Sequence, residues 1–248
     1  MKNLSIIFAI AFLCLFQAKG QERYPAWEFK INGGFNIGGT SPLPLPEEIR
    51  KIESYTPSAF APHVALEAVR WFNNKWGVSA QITLDYKGFT VKDRVKGLHT
   101  EIEMGDEKYI GNFTGKNKTE IKNSYITIPV MANYRISDKW ITQLGFYWGY
   151  LYNSGFKGTA SEGYIRRGSP IGEKTLVDNA TFDFSDDMNK FDFGLQMAGE
   201  WEFYHNFALR GQITWGIKPI FPSDFTAVSF DMYNIYGMLG ISYRLKMK

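Results

Sequence analysis

The stretch WGVSAQITLDY, residues 76–86, alternates apolar and polar residues at every position. The even-numbered residues, from Trp76 to Tyr86, are apolar, whereas the odd-numbered ones, from Gly77 to Asp85, are small or polar. A period of two is typical of a β-strand with one apolar face. In a soluble protein such a face packs in a core, and in a transmembrane barrel it contacts lipid.

The same alternation recurs along the chain. It predicts strands at about 26–38, 60–72, 123–136, 140–152, 190–203, 207–218 and 233–246 as well. Short connections at 73–75, 137–139 and 204–206 alternate with long polar stretches near 39–58, 90–121, 154–188 and 219–231. Short turns at one end and long loops at the other are typical of outer-membrane barrels. We therefore predict an all-β fold, an eight-stranded antiparallel up-and-down transmembrane β-barrel, with a short helix at Glu47–Tyr55.

The two faces of these strands favour lipid over a core as the environment of the apolar side. Large aromatic residues lie at both ends of the apolar faces, as the two membrane interfaces favour. The polar faces carry Glu28, Glu67, Asp85, Asp192, Glu200 and Glu202, and also Lys30, Lys87, Arg135, Arg210, Lys218 and Arg244. A buried charge without a partner is costly, so the sequence predicts a packed lumen of paired charges.

Residues 1–20 have the features of a secretory signal peptide, with Lys2 before an apolar run and small residues before Gln21. We expect 21–248 to form one barrel domain. The single cysteine, Cys14, lies in the signal, so the mature chain has no thiol for disulfides, metal binding or catalysis. The 28 basic residues include Lys2 and Lys19, which leaves 26 against 25 acidic ones and predicts no nucleic-acid partner.

The segments 123–140 and 141–158 resemble the PorT-like outer-membrane β-barrel family of Bacteroidota. Tyr125, Ile128 and Pro129 match its tyrosine and Ile-Pro motif, and Gly145 and Gly149 match the spaced glycines of the next strand. Segments 65–89 and 190–203 are also similar to the family pattern. The resemblance implies a barrel with an envelope role, because the family's namesake is linked to protein secretion and gliding machinery.

The residues that most often carry chemistry are few. We interpret His205 as a turn residue and His99 as a loop residue, and we consider His63 as the base of a barrel-embedded hydrolase. Asp183, Asp186 and Asp187 form an acidic stretch that we interpret as solvated, with calcium as the alternative. The sequence therefore predicts no catalytic residue, no cofactor and no metal site.

Three functions are consistent with this pattern. The first is a non-enzymatic outer-membrane protein that acts through its long loops or an envelope protein partner, with outer-membrane lipid around it. The second is a small solute-binding or pore-forming barrel, and the third is an envelope hydrolase that uses His63. In each case we expect both chain termini and the short turns in the periplasm and the long loops outside the cell.

Overall fold

The computed structural model describes residues 27–105, 107–168 and 171–246; the predicted signal peptide, 1–20, lies outside them. The described residues contain no helix long and apolar enough to cross a membrane. They form eleven antiparallel strands. The strands are β1 (Trp27–Pro42), β2 (Ile49–Pro57), β3 (Pro62–Trp71), β4 (Trp76–Met104), β5 (Glu107–Arg135), β6 (Trp140–Asn153), β7 (Phe156–Arg167), β8 (Lys174–Asp183), β9 (Phe191–Tyr204), β10 (Phe207–Gly216) and β11 (Met232–Arg244).

Eight of these strands close into a ring. Their pairing order is β1, β3, β4, β5, β6, β9, β10 and β11, and β11 pairs again with β1. These eight correspond to the eight predicted stretches, so the all-β, antiparallel barrel is confirmed. The predicted total of eight strands is wrong, because β2, β7 and β8 add three outside the ring.

The two ends of the barrel differ. Three short connections, at residues 72–75, 136–139 and 205–206, lie at one end, which we call the turn end. Lys30 pairs with Arg244, so the first and last described strands also begin and finish there. The other end, which we call the hairpin end, carries the long β4–β5 hairpin and the strands β2, β7 and β8.

The hairpin end is a sheet rather than a set of loops. β4 and β5 remain paired up to Met104 and Glu107 because β2 pairs with β4 and β7 pairs with β5. Glu103 of β4 also pairs with Thr181 of β8, which curls this sheet. The predicted loops at 39–58, 90–121 and 154–188 are therefore largely strand. The helix predicted at Glu47–Tyr55 is wrong, because residues 47–48 form a turn and 49–55 belong to β2. Only 219–231 lacks strands, as predicted.

Side-chain polarity in the ring is the reverse of that in a soluble barrel. In β4, Ile82 is 62% exposed on the outside, whereas Gln81 is 2% exposed on the inside. The same holds around the ring, where the outward apolar side chains form a belt and the inward polar ones are buried. The sequence prediction of an apolar exterior and a polar lumen is confirmed.

The hairpin end follows the opposite rule. Its inward side chains form an apolar core that includes Phe89, Val95, Phe113 and Phe156. Many of its outward side chains, such as Lys92, are polar, although Ile110 and Leu176 are also exposed there. Apolar burial of this kind is what stabilises soluble domains. The molecule therefore has a membrane-type barrel joined to a soluble-type sheet by strands that run through both.

One proline interrupts the ladder inside the ring. The β4–β5 register passes from Ala80 opposite Val130 to Thr83 opposite Thr127, without the two intervening pairs. Pro129 lies at this gap and has no amide hydrogen to donate. Of the two outcomes that the sequence allows, a bulge or an unpaired position, the structure shows the unpaired position, because the register does not shift.

Candidate functional site

A network of buried charges crosses the lumen near the turn end. The Arg210 guanidinium binds Glu200 and lies 3.5 Å from the Glu67 carboxylate. The Lys30 amine lies 2.6 Å from Glu200, and Gln143 donates a 2.6 Å hydrogen bond to Glu67. These five side chains come from β1, β3, β6, β9 and β10. They therefore link opposite walls and fill the cross-section of the lumen.

A second set of ion pairs lies at the rim of the turn end. Arg135 contacts Glu28 at 3.3 Å and stacks 3.8 Å from the Trp71 ring centre. Arg244 lies 3.5 Å from Glu28 and 2.8 Å from Glu202. The carboxylates of Glu28 and Glu202 thus bind the guanidinium groups of Arg135 and Arg244, and the buried Trp71 side chain occupies part of the lumen beside them. These rim ion pairs therefore lie between the charge network of the lumen and the solvent at the turn end.

A lysine surrounded by aromatic rings lies in the other half of the lumen. The Lys87 amine is 4.8 Å from the Tyr125 ring centre, 5.4 Å from Tyr147 and 5.5 Å from Tyr236. It lies 3.9 Å from Asp192, which accepts a 3.0 Å hydrogen bond from the Tyr147 hydroxyl. Ring quadrupoles and one carboxylate together stabilise a desolvated ammonium group. Lys87 is therefore a structural charge that fills the lumen.

The pairing of lumen charges follows the sequence prediction closely. All six acidic side chains that were predicted to be paired in the lumen have an ion-pair partner there. Five of the six basic side chains predicted to be paired also have one; the exception is Lys218, which lies beyond the end of β10. Arg210 lies opposite Glu200 in the β9–β10 hairpin, and His63 lies opposite Asp85 in the β3–β4 hairpin, so these two pairs are local. The other pairs, such as Lys30 with Glu200, join strands distant in sequence and required the fold.

His63 is the buried histidine considered as a base. Its Nδ1 lies 2.6 Å from the Asp85 carboxylate, which also accepts hydrogen bonds from Asn36 at 3.0 Å and Thr127 at 3.1 Å. Its Nε2 has no hydrogen-bond partner in the described part of the chain. The carboxylate orients the ring, as in a catalytic dyad, but no hydroxyl is hydrogen-bonded to Nε2 as a nucleophile would be.

The other candidate residues are dispersed. His205 lies in the turn between β9 and β10, as predicted, whereas His99 lies in β4 rather than in a loop. Asp183 pairs with Lys157 at 2.8 Å and accepts hydrogen bonds from Ser185. Within the described residues, no group of three or more His, Cys, Asp or Glu side chains is placed to hold a metal ion.

A cavity of about 570 Å³ lies in the apolar core of the hairpin end. Its volume is in the range of small-molecule sites, which are mostly apolar with a few placed polar groups. Its lining includes Phe89, Val91, Val95, Leu98, Ile102 and Phe113. Sequence reasoning missed it, because residues 90–121 were interpreted as a loop.

Asp93 is the acidic residue of this cavity. It is only 6% exposed, and its Oδ1 atom has no hydrogen-bond partner in the described structure. Burial raises the pKa of the Asp93 carboxyl from 3.8 to about 6; a hydrogen bond from Asn117 opposes this rise and the charge of Glu53 adds to it. The sequence signal was available: Asp93 is the one polar residue in the alternate series from Phe89 to Val95.

Comparisons with known proteins agree with this architecture. The model of the outer membrane protein beta-barrel domain family matches residues 17–222. No curated protein sequence matches the chain.

Similar solved structures include Ail, OprG and CarO2, of which Ail and OprG are outer-membrane proteins. Ail, the attachment invasion locus protein of Yersinia pestis, is 13% identical with a TM-score of 0.36, covering 88% of this chain and 97% of its own. OprG from Pseudomonas aeruginosa is 13% identical with a TM-score of 0.39, covering 90% and 98%. CarO2 of Acinetobacter baumannii is 10% identical with a TM-score of 0.38, covering 88% and 99%. At these values the similarities carry no argument about function.

The family match covers most of the chain and agrees with the closed ring, the outward apolar belt and the polar lumen. This chain belongs to the outer membrane protein beta-barrel domain family, whose members reside in the outer membrane of Gram-negative bacteria.

Proposed function

We propose that this protein is a non-enzymatic outer-membrane barrel that acts through its hairpin end and does not conduct ions. The observation that carries the proposal is the network of Arg210, Glu200, Glu67 and Lys30 across the lumen. An eight-stranded ring has an interior that side chains can fill. With the lumen filled, the part of the molecule left to meet other molecules is the hairpin end.

Planar-bilayer recording tests the closed lumen. Wild-type protein is expected to give no steady conductance. The double variant Glu67→Ser, Arg210→Ser removes one anion and one cation from the network and is expected to admit small ions. The double variant Glu53→Ser, Arg94→Ser removes an ion pair outside the ring and serves as the silent control. Steady conductance of the wild type would contradict the proposal.

We further propose that the turn end and both chain termini face the periplasm, so that the hairpin end is outside the cell. The support is the asymmetry of connection lengths, which outer-membrane barrels share. Because a chain from residue 21 has no cysteine, Lys75→Cys at the turn end and Lys118→Cys at the hairpin end form a matched pair. A membrane-impermeant maleimide should label only Lys118→Cys on intact cells, and labelling of only Lys75→Cys would reverse the orientation.

The resemblance of Tyr125, Ile128 and Pro129 to the PorT-like motif supports a finer proposal, in which the protein is of the Bacteroidota type and serves an envelope assembly such as secretion or gliding machinery. Mild crosslinking of cells followed by purification should then recover one envelope protein in stoichiometric amount. If the partner binds at the hairpin end, a bulky maleimide on Lys118→Cys should block it, so the labelled variant should recover less of that partner than the unlabelled variant. Recovery of no partner from intact barrels would count against this role.

The absence of catalysis is also part of the proposal. Its support is that Nε2 of His63 has no hydrogen-bonded hydroxyl, while Asp85 holds the ring from the other side. Lipid A and phospholipid turnover should be the same for wild type and His63→Ala. A turnover that the variant loses would establish His63 as a base.

A further inference from the structure

The wall of the molecule has a break between β1 and β2. Beyond Phe35, β1 pairs with β11 on one side but no longer with β3 on the other. β2 lies on that side but pairs only with β4, and no ladder joins β1 to β2 among the described residues. The Tyr55 hydroxyl crosses the break and donates a 2.6 Å hydrogen bond to the Gly38 carbonyl. We call this break, between residues 37–42 and β2, the seam.

The cavity of the hairpin end extends through the seam. Its lining includes Ile37 and Ile235, which lie on the outer face of the β1–β11 pair. It also includes Thr40, whose hydroxyl donates to Asn234 inside the ring. A cavity lined by both faces of one strand must pass around the edge of that strand. Ile37 is 54% exposed and is the last residue of the apolar belt on β1, so the seam opens at the border of the membrane.

Asp93 supplies the polar feature of the cavity. It is more than nine-tenths buried, and its Oδ1 atom lacks a hydrogen-bond partner in the described structure. A buried acceptor without a partner is costly, and a donor on a ligand would satisfy it. The remaining lining is dominated by aliphatic and aromatic side chains, which suits a hydrocarbon chain better than a sugar or a peptide.

We propose that the cavity binds a single-chain amphiphile from the membrane, which enters through the seam and donates a headgroup hydrogen bond to Oδ1 of Asp93. The volume, the apolar lining, the lateral opening and the unpartnered oxygen each fit this class of ligand. The site is separate from the lumen network, so it stands even if the barrel is shown to conduct.

Two glycines of β1 provide a matched pair of variants. A Cβ atom on Gly39 would lie 3.6 Å from the Phe89 ring, in ordinary contact, so Gly39→Leu places its side chain in the cavity at the seam. A Cβ atom on Gly33 has nothing within 4 Å. Neither glycine has a backbone conformation that excludes other residues. Gly33→Leu therefore adds the same bulk to the same strand without touching the cavity.

Native mass spectrometry of protein from nanodiscs containing hexadecanol measures occupancy. Wild type and Gly33→Leu should each retain one hexadecanol, and Gly39→Leu should retain it about tenfold less. The heat-dependent gel migration of folded barrels confirms that each variant is intact. Equal retention by Gly39→Leu and Gly33→Leu, or no retention by wild type, would overturn the proposal.

The headgroup is tested with Asp93→Asn at pH 8. Wild type should prefer hexadecanol over palmitate by about tenfold, because the carboxylate of Asp93 repels that of palmitate. Asp93→Asn should bind both equally, and an unchanged preference would remove Asp93 from the site. A last comparison uses polymer-held protein without a bilayer, to which hexadecanol is added from solution. Loading as fast as in nanodiscs would overturn the route through the membrane.

Discussion

The two halves of strand β4 have opposite polarity although they belong to one continuous element. Between Trp76 and Lys87, the outward residues are apolar and the inward residues are polar. From Phe89 to Val95, the inward residues are largely apolar and the outward ones, including Lys92, are polar. The period is two in both halves, because the strand is the same. What changes is the medium outside the strand, from lipid to water, and the polarity of the outward side chains changes with it.

The largest expected effect comes from a buried charge in the barrel. Arg210→Ala leaves the carboxylates of Glu67 and Glu200 with less compensation, and removal of one partner of a buried pair costs about 3–5 kcal/mol. The measurement is the free energy of unfolding in urea, with the protein refolded in lipid vesicles. Arg94→Ala is the matched control, because Arg94 pairs with Glu53 on the exposed face of the hairpin end. Equal losses for the two variants would contradict the comparison.

A charge on the outward face should be costly in only one half of β4. Ile82 is exposed in the apolar belt, and a lysine near the middle of the lipid-facing surface of a barrel costs about 2–4 kcal/mol. Ile82→Lys should therefore destabilise the protein by this amount. Lys92→Ile exchanges the same two residue types beyond the belt and should change the unfolding free energy little. A similar loss for Lys92→Ile would mean that lipid extends along this part of the strand.

The barrel half of the molecule could be predicted from the sequence because every strand of the ring alternates outward apolar and inward polar residues in the same way. The apolar faces, the short turns and the charged lumen followed from alternation and from the cost of unpaired buried charge. Lys30, Glu67 and Arg210 were expected to have partners, and they do. Which partner each one has depends on strand order: Glu200 lies opposite Arg210 on the adjacent strand β10, but it reaches Lys30 on the non-adjacent strand β1.

The hairpin end could not be predicted in the same way. In residues 89–121 the alternation is interrupted by Gly97, where the β4–β5 register shifts, and by Gly115 and Asn117 on the inward face. β2, β7 and β8 are stable only through pairing with β4 and β5, so their short sequences carry little signal alone. The seam depends on a missing ladder between β1 and β2, a long-range property that no local pattern encodes.

The pH dependence of stability should reveal the burial of Asp93. Its pKa is raised to about 6 in the folded protein from 3.8, so the folded state binds the proton more tightly than the unfolded state. Stability due to this group should fall as pH rises from about 4 to about 6, by the order of 2 kcal/mol. Glu53 and Asn117 face the same carboxyl and remain in both proteins.

The difference in unfolding free energy between wild type and Asp93→Asn, measured from pH 4 to pH 8, isolates this contribution. Asp93→Asn should gain relative to wild type as the pH rises, with most of the gain complete above pH 6. A difference that is constant with pH would show that the carboxyl is solvated, and that the hairpin end lacks the dry core on which the comparison rests.

The smallest effect concerns the interruption of the β4–β5 ladder at Pro129, in the barrel half. An amide hydrogen at position 129 would face the Gln81 carbonyl, because the register on both sides of the gap is the same. Pro129→Val supplies that donor, and the hydrogen bond gained contributes about 0.5–1.5 kcal/mol. Loss of the proline makes the unfolded chain more flexible and costs about 0.4–1 kcal/mol, so the net change should be below about 1 kcal/mol.

Stability alone therefore does not resolve the role of Pro129, but hydrogen exchange does. In Pro129→Val, the new amide at position 129 should exchange as slowly as that of Met131, which pairs with Ser79 in the continuous part of the ladder. Thr119→Val, in the continuous ladder of the hairpin end, is the control and should leave exchange at its neighbours unchanged. If the amide at position 129 exchanges rapidly, the two strands are held apart at this point by something other than the missing donor. In that case the barrel wall itself would cause the gap in the ladder, and Pro129 would be tolerated at this position because the gap is already there.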